Sequence, residues 1–250
     1  GSEMCIRDRQ YDSQLLLRQL NQYFEVMAEE IKKTGGVIDK FVGDSIMAFW
    51  GGTQQIDEHR MKALTSGLNC IIRNEAAISH SEITLKPVLN TRIGIHTGPA
   101  LVGNIGTEKR FNYTAIGETV KLAYVVERIN KFYHTKFLIT QNTAEAAKGK
   151  MTLRFIDRFS LKGREEGIDL FEPITPENTT ENIKKISALG EDAFELYRNR
   201  NWDEAENIYR KILELKPNDR VAEIFIERIK ELRSKNPEPG WKAIFNFYEI

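Results

Sequence analysis

The chain has 250 residues, 41 % of them hydrophobic, enough for one sizeable globular domain with an appendage. Its 36 Lys and Arg balance 36 Asp and Glu, so no overall positive field draws it to nucleic acid or an anionic membrane surface, and any anion it binds must be met locally. Cys5 and Cys70 are too few for a disulfide framework and suit a reducing, cytoplasmic setting, and no apolar run approaches the roughly 20 residues of a membrane span.

The first residues, GSEMCIRDR, have neither helix nor strand period nor the apolar region of a signal peptide, so residues 1–10 read as a non-native or disordered leader. Over residues 15–33, Leu16, Leu20, Tyr23, Phe24, Met27 and Ile31 form a helical stripe that Gly35 and Gly36 end. Residues 36–40 and 45–50 read as strands joined by Gly43-Asp44, a two-residue turn with Gly at the positive-φ position. A second helix fills residues 57–73. TRIGIHTG and ALVGNIG then read as the two strands of a glycine-broken hairpin. The strand FNYTAI leads through Gly117 into a helix over residues 118–131, and KFLIT, LRFIDRFSL and IDLFEPI supply the last strands, with a short helix near Ala144.

Helices alternating with antiparallel pairs indicate an α+β layered domain over residues 11–174. The polar, Pro-containing TPENTT places a linker at residues 175–181. Residues 182–250 read as a helical hairpin and tail, in which Trp202, Ala205, Tyr209, Ile212 and Leu213 resemble half of a tetratricopeptide repeat. One repeat is too few for a solenoid, so a hairpin packed on the main domain is expected. Trp241, Phe245 and Phe247 are expected to cover an apolar surface.

Several polar residues stand out. Asp44 at the hairpin tip suits the turn on backbone grounds alone. Lys40 is a long cation in an otherwise apolar strand. The glycines of GIHTGPALVGNIG permit close backbone approach or merely kink twisted strands. His59, His80, His96 and His134 lack metal-ligand spacing.

Three blocks, IDKFVGDSIMAFWG, RIGIHTGPALVGNIG and YTAIGETVKLA, resemble in order and spacing the catalytic domain of class III nucleotidyl cyclases, over residues 15–173. The resemblance implies a ferredoxin-like βαββαβ core, here lacking its first strand, with a C-terminal α-helical hairpin. It implies a head-to-tail dimer, homodimeric or heterodimeric, with ATP as substrate, cyclic AMP and pyrophosphate as products, and two Mg²⁺ or Mn²⁺ ions. Asp44 matches the second metal aspartate, beside Gly43 in the substrate-binding turn. Lys40 and Thr114 match the pair that reads the purine, and a Lys with a Thr favours adenine.

The family's first metal aspartate lies in an FxDI segment upstream of the first helix, and the chain begins after it. On this reading the chain alone is expected to be inactive, and poorly soluble or partly unfolded. The family's transition-state Asn and Arg fall on Lys121 and Val125. Val125 cannot donate a hydrogen bond, while Arg128 lies on the same helical face and can substitute for the cation or simply be solvated. Two functions therefore stay open: an adenylate cyclase domain, and a degenerate pseudo-cyclase acting as a regulatory or heterodimer subunit. The tail PEPGWKAIFNFYEI is similar to that of some bacterial membrane-anchored members, compatible with an anchored sensor upstream and a cytoplasmic catalytic part.

Overall fold

The computed structural model describes residues 13–52, 56–80, 90–161 and 166–247. The expected leader lies outside the described residues, as does the side chain of His80. The chain divides into two compact units, residues 1–124 and 125–250.

The first unit begins with α1 (Ser13–Lys33), which buries Met27 and Ile31. The helix ends in a hydrogen-bonded glycine cap. Gly35, at φ +79°, donates to the Lys32 carbonyl at 2.9 Å, and Gly36 donates to that of Ile31 at 2.9 Å. Gly36 is also sterically required, because a Cβ there would lie 2.6 Å from the Trp50 ring and 2.8 Å from Ile31. Trp50 is held in place by its indole N–H, which donates to Thr34 Oγ1 at 3.0 Å.

Strands β1 (Val37–Val42) and β2 (Ser45–Phe49) pair antiparallel, with Val42 opposite Ser45. Gly43 and Asp44 form the turn, with Gly43 at φ +61°. The register slips once, between Ile38 and Lys40, so Asp39 is the extra residue of a β-bulge.

Helix α2 (His59–His80) lays Leu64, Leu68 and Ile71 inward at helical spacing. It also ties to α1 through the buried Glu30, which accepts from Asn69 Nδ2 at 3.2 Å and pairs with Lys33 at 2.8 Å and Arg73 at 3.4 Å. The Lys33 hydrogen bond outweighs burial and holds the Glu30 carboxyl below its usual range.

After β3 (Ile93–Ile95) come β4 (Leu101–Thr107) and β5 (Arg110–Ile116), which pair antiparallel. The expected hairpin between TRIGIHTG and ALVGNIG is therefore replaced by one between ALVGNIGT and RFNYTAI. Gly106 explains the shift. At φ +153° it brings the backbone so close to Arg110 that a Cβ would lie 2.2 Å from that residue's carbonyl oxygen, allowing a reversal after Thr107.

Helix α3 (Glu118–Tyr133) runs from the first unit into the second and buries Leu122, Val126 and Ile129, the core face expected from their spacing. In the second unit, β6 (Phe137–Thr140), β7 (Leu153–Ser160), β8 (Ile168–Pro173) and β9 (Phe245–Asn246) take the order β6-β8-β7-β9. The final pairing is parallel. The short α4 (Gln141–Ala144) follows β6.

The helical appendage contains three helices rather than a hairpin: α5 (Glu181–Arg198), α6 (Trp202–Leu215) and α7 (Arg220–Lys235). It belongs to the same compact unit as the sheet, so the expected break at TPENTT does not coincide with the division between units. Phe194 of α5 meets Phe155 of β7 at 4.5 Å between ring centroids, and Tyr209 of α6 stacks on Phe225 of α7 at 4.7 Å. Trp241 packs on Tyr197 and Trp202, and Phe245 on Phe132.

Asp157 of β7 is buried at the heart of this unit. It accepts from Arg228 Nη1 at 2.5 Å, from the Arg158 amide at 2.7 Å and from the Tyr133 hydroxyl. The Arg228 guanidinium lies 4.1 Å from the Phe245 ring centroid. Arg154 pairs with Asp219 at 2.5 Å, and Asp219 also caps α7 by accepting from the Ala222 amide at 3.1 Å.

Gly36→Ala should lower stability by about 1 to 3 kcal/mol, because the added methyl must displace Trp50; a chemical denaturation midpoint equal to that of the parent would show that the cap has room. Arg228→Met should cost about 3 to 5 kcal/mol by leaving Asp157 buried without its cation, and an unchanged thermal melt would show that the pair carries no such weight.

Candidate functional site

The bulge at Asp39 gives the first unit its distinctive polar cluster. In a regular strand adjacent side chains point to opposite faces. Here the extra residue lets both Asp39 and Lys40 reach Thr114 on β5. Lys40 Nζ donates to Thr114 Oγ1 at 3.1 Å, and Thr114 Oγ1 donates to Asp39 Oδ2 at 2.5 Å. Asp39 Oδ2 also accepts from the Ala115 amide at 3.1 Å. The other oxygen, Oδ1, lies 3.2 Å from Lys40 Nζ, an ion-pair contact without the alignment of a hydrogen bond.

Burial grades these three side chains. Asp39 is fully buried, Thr114 is 5 % exposed as a residue, and the Lys40 side chain is 43 % exposed. The carboxylate is thus structural in its surroundings and the ammonium is the outward member. Opposite Thr114 across the β4–β5 pair stands Gly103. Cross-strand partners share a face, so the neighbour of Thr114 on that face has no side chain. A Cβ built on Gly103 would have no atom within 4 Å. The glycine leaves open space beside the Lys40–Thr114 pair.

The other candidates are placed as follows. Gly43 is exposed and Asp44 half-buried at the β1–β2 turn. Among the described residues there is no group of three or more His, Cys, Asp or Glu side chains arranged to hold a metal ion. A hard divalent ion is commonly held by one or two carboxylates together with substrate phosphates, and Asp44 can serve in that arrangement. Lys121 is exposed near the start of α3, and Val125 and Arg128 are half-buried further along it. The structure brings Lys40 and Thr114 into direct contact. Asp39 escaped sequence reasoning because alternation assigns it to the face opposite Lys40; its only signal was a second charge in an apolar strand.

This fold and these motifs define a nucleotide cyclase domain. Residues 3–172 match the family described as adenylate and guanylate cyclase catalytic domain, and the chain belongs to that family. It is 32 % identical over 216 residues to an adenylate cyclase, terminal-differentiation specific, of Dictyostelium discoideum, covering 84 % of this chain and 10 % of that one. It is 34 % identical over 165 residues to adenylate cyclase 1 of Rhizobium meliloti, covering 65 % of this chain and 25 % of that one. The chain thus spans about a tenth to a quarter of these curated relatives. Among solved structures it is similar to the adenylyl cyclase CyaB from P. aeruginosa, with TM-score 0.59 and 25 % identity over 72 % of this chain and 92 % of that one. It is also similar to the guanylyl cyclase Cya2, with TM-score 0.58 and 26 % identity over 71 % and 90 %. The α+β cyclase fold expected from the sequence is therefore the fold observed.

Thr114→Val keeps shape but removes the hydroxyl that fills Asp39 Oδ2. It should cost about 1 to 3 kcal/mol of stability by under-satisfying a buried carboxylate, read by urea denaturation; a neutral result would mean that water or Lys40 replaces the bond freely.

Proposed function

We propose that the chain is the catalytic domain of an adenylate cyclase, converting ATP to 3′,5′-cyclic AMP and pyrophosphate at a dimer interface for signal transduction. The observation that carries this reading is the contact between Lys40 and Thr114 beside the space left by Gly103. A Lys donor facing adenine N1 and a Thr oxygen facing the 6-amino group recognise adenine, whereas guanine presents an N1–H and a 6-oxo group to the same pair. The reaction forms a bond from the 3′ oxygen to the α-phosphorus as the bond to pyrophosphate breaks. Divalent ions, when bound, lower the pKa of the attacking hydroxyl and screen the departing pyrophosphate. Asp44 at its turn is the residue of this chain that would help hold them, with the substrate phosphates and the first metal aspartate of the family pattern.

The partner is a second cyclase domain, a copy of this chain or a relative. Among the described residues no helix is long and apolar enough to cross a membrane. A cytoplasmic site for the chemistry rests on the nucleotide substrate.

A second reading is favoured by α3. Lys121 and Val125 stand where the family pattern has its transition-state Asn and Arg, and loss of one preorganised donor commonly costs on the order of 10² to 10³ in rate. In a head-to-tail dimer each site draws its metal carboxylates from one subunit and its transition-state residues from the other. This chain would then complete one productive site beside an intact partner, and its remaining half-site would be regulatory. In a homodimer Arg128, on the same helical face, would be the cation that substitutes, the alternative being that it is simply solvated.

The test uses the full-length protein. ATP analogues should bind better than GTP analogues, and Lys40→Glu should narrow or reverse the preference; equal affinities that the substitution leaves alone would remove the assignment. Lys121→Asn with Val125→Arg should raise cyclic AMP formation at least about tenfold, equivalent to roughly 1.4 kcal/mol in the barrier, and Asp44→Asn should abolish it. High activity of the unmodified homodimer, lost on Arg128→Ala, would show instead that the shifted arginine performs catalysis.

A further inference from the structure

We infer that Asp39 is a specificity-determining positioning residue: by accepting the hydrogen bond of the Thr114 hydroxyl, it fixes that oxygen as an acceptor toward the purine. The inference rests on the reading of Lys40 and Thr114 as the base-recognition pair and adds what sets their polarity.

A threonine hydroxyl carries one proton and two acceptor lone pairs, and a freely turning hydroxyl greets a donor or an acceptor equally well. Alone, then, Thr114 distinguishes poorly between a 6-amino and a 6-oxo purine. The surroundings remove that freedom. A carboxylate oxygen only accepts, so the 2.5 Å contact between Thr114 Oγ1 and Asp39 Oδ2 commits the single proton to Asp39. The rival acceptor, the Ala115 carbonyl oxygen, is at 3.5 Å and is far weaker. From the other side Lys40 Nζ, which can only donate, gives a hydrogen bond to the same hydroxyl at 3.1 Å. Thr114 is 5 % exposed, so water offers little alternative for the proton. What remains on Oγ1 is acceptor capacity, matched to the N–H of a 6-amino group and repelled by a 6-oxo group.

Asp39 itself is anchored so that it cannot follow a rotation of Thr114. Its Oδ2 accepts from the Ala115 amide at 3.1 Å, the side chain is fully buried, and the bulge holds it on the face shared with Lys40. Lys40, 43 % exposed along its side chain, is the member that an incoming base can displace, and its ammonium has three donors to divide among Asp39, Thr114 and N1.

The experiment measures equilibrium binding of ATP and GTP analogues to the full-length protein, to Lys40→Glu and to Asp39→Asn, with thermal melts of each. The carboxamide that Asp39→Asn introduces can donate to Thr114 and free the hydroxyl proton, so this substitution should shrink the ATP-to-GTP affinity ratio at least about fivefold. General loosening of the fold would weaken both ligands together and leave the ratio alone. In a Thr114→Ala background the same substitution should no longer change the ratio, as expected for residues acting as one unit.

A second measurement needs no variant at position 39. N6-methyl-ATP and O6-methyl-ITP have the same shape and the same acceptor at N1, and differ in offering N–H or oxygen at position 6. The unmodified protein should favour the former at least about fivefold. Equal binding of that pair, or an ATP-to-GTP ratio untouched by Asp39→Asn while Lys40→Glu narrows it, would overturn the role of Asp39 and leave the base-recognition pair standing. Absence of any purine preference in the unmodified protein would overturn both.

Discussion

The candidate site depends on one buried carboxylate. Asp39 sits on β1 with its side chain fully buried and draws two donors from β5, the Thr114 hydroxyl and the Ala115 amide. These bonds join the β1–β2 hairpin, which carries Asp44 at its tip, to the β4–β5 hairpin, which carries the open space at Gly103. The two hairpins form separate two-stranded sheets, so no ladder of backbone bonds sets their relative register. A buried carboxylate is costly unless its oxygens are filled, and that cost makes the junction specific: any slip of one hairpin against the other strands Asp39.

The two compact units use buried charge in different ways. Around Asp157 the partners close on one another: an arginine, a tyrosine hydroxyl and a backbone amide, roofed by the Phe245 ring. Burial, followed by the nearby Asp157 carboxylate, holds the Tyr133 hydroxyl well above its usual range, so it remains a donor. The Asp39 cluster has the same ingredients with one side open, since its cation is partly exposed and its cross-strand neighbour is glycine. A closed network gives rigidity, and an open one leaves donors and an acceptor for a ligand.

Helices and most strands were readable because their periods survive in the sequence. Leu122, Val126 and Ile129 fall on one helical face and are buried there, and Gly35 and Gly36 mark a helix end that is made by those glycines. Three features were not readable. The bulge at Asp39 breaks the period of two at one residue and leaves no trace beyond a second charge in an apolar strand. The clustered glycines point to a hairpin between β3 and β4, whereas the reversal uses Gly106 before the unremarkable pair Glu108-Lys109. Local composition marks TPENTT as a linker, and packing of Phe194 on Phe155 joins α5 to β7 across it. Composition marks where a chain can bend and says little about what the next helix packs against.

The site's positions differ in how strongly the fold constrains them. Asp39 and Thr114 hold the two hairpins together, and Thr114 stands opposite Gly103, so changing either disturbs the structure around the open space. Lys121 is exposed, and Val125 and Arg128 are half-buried, away from the α3 face that buries Leu122, Val126 and Ile129. Substitution on that outer face costs α3 little, because helix stability comes mainly from the packed stripe. A domain of this kind can therefore change its residues on this face of α3 while keeping its fold and the contact between Lys40 and Thr114. On the proposed reading, that asymmetry is the physical reason Lys40 and Thr114 can be kept while Val125 stands at a position the resemblance assigns to arginine.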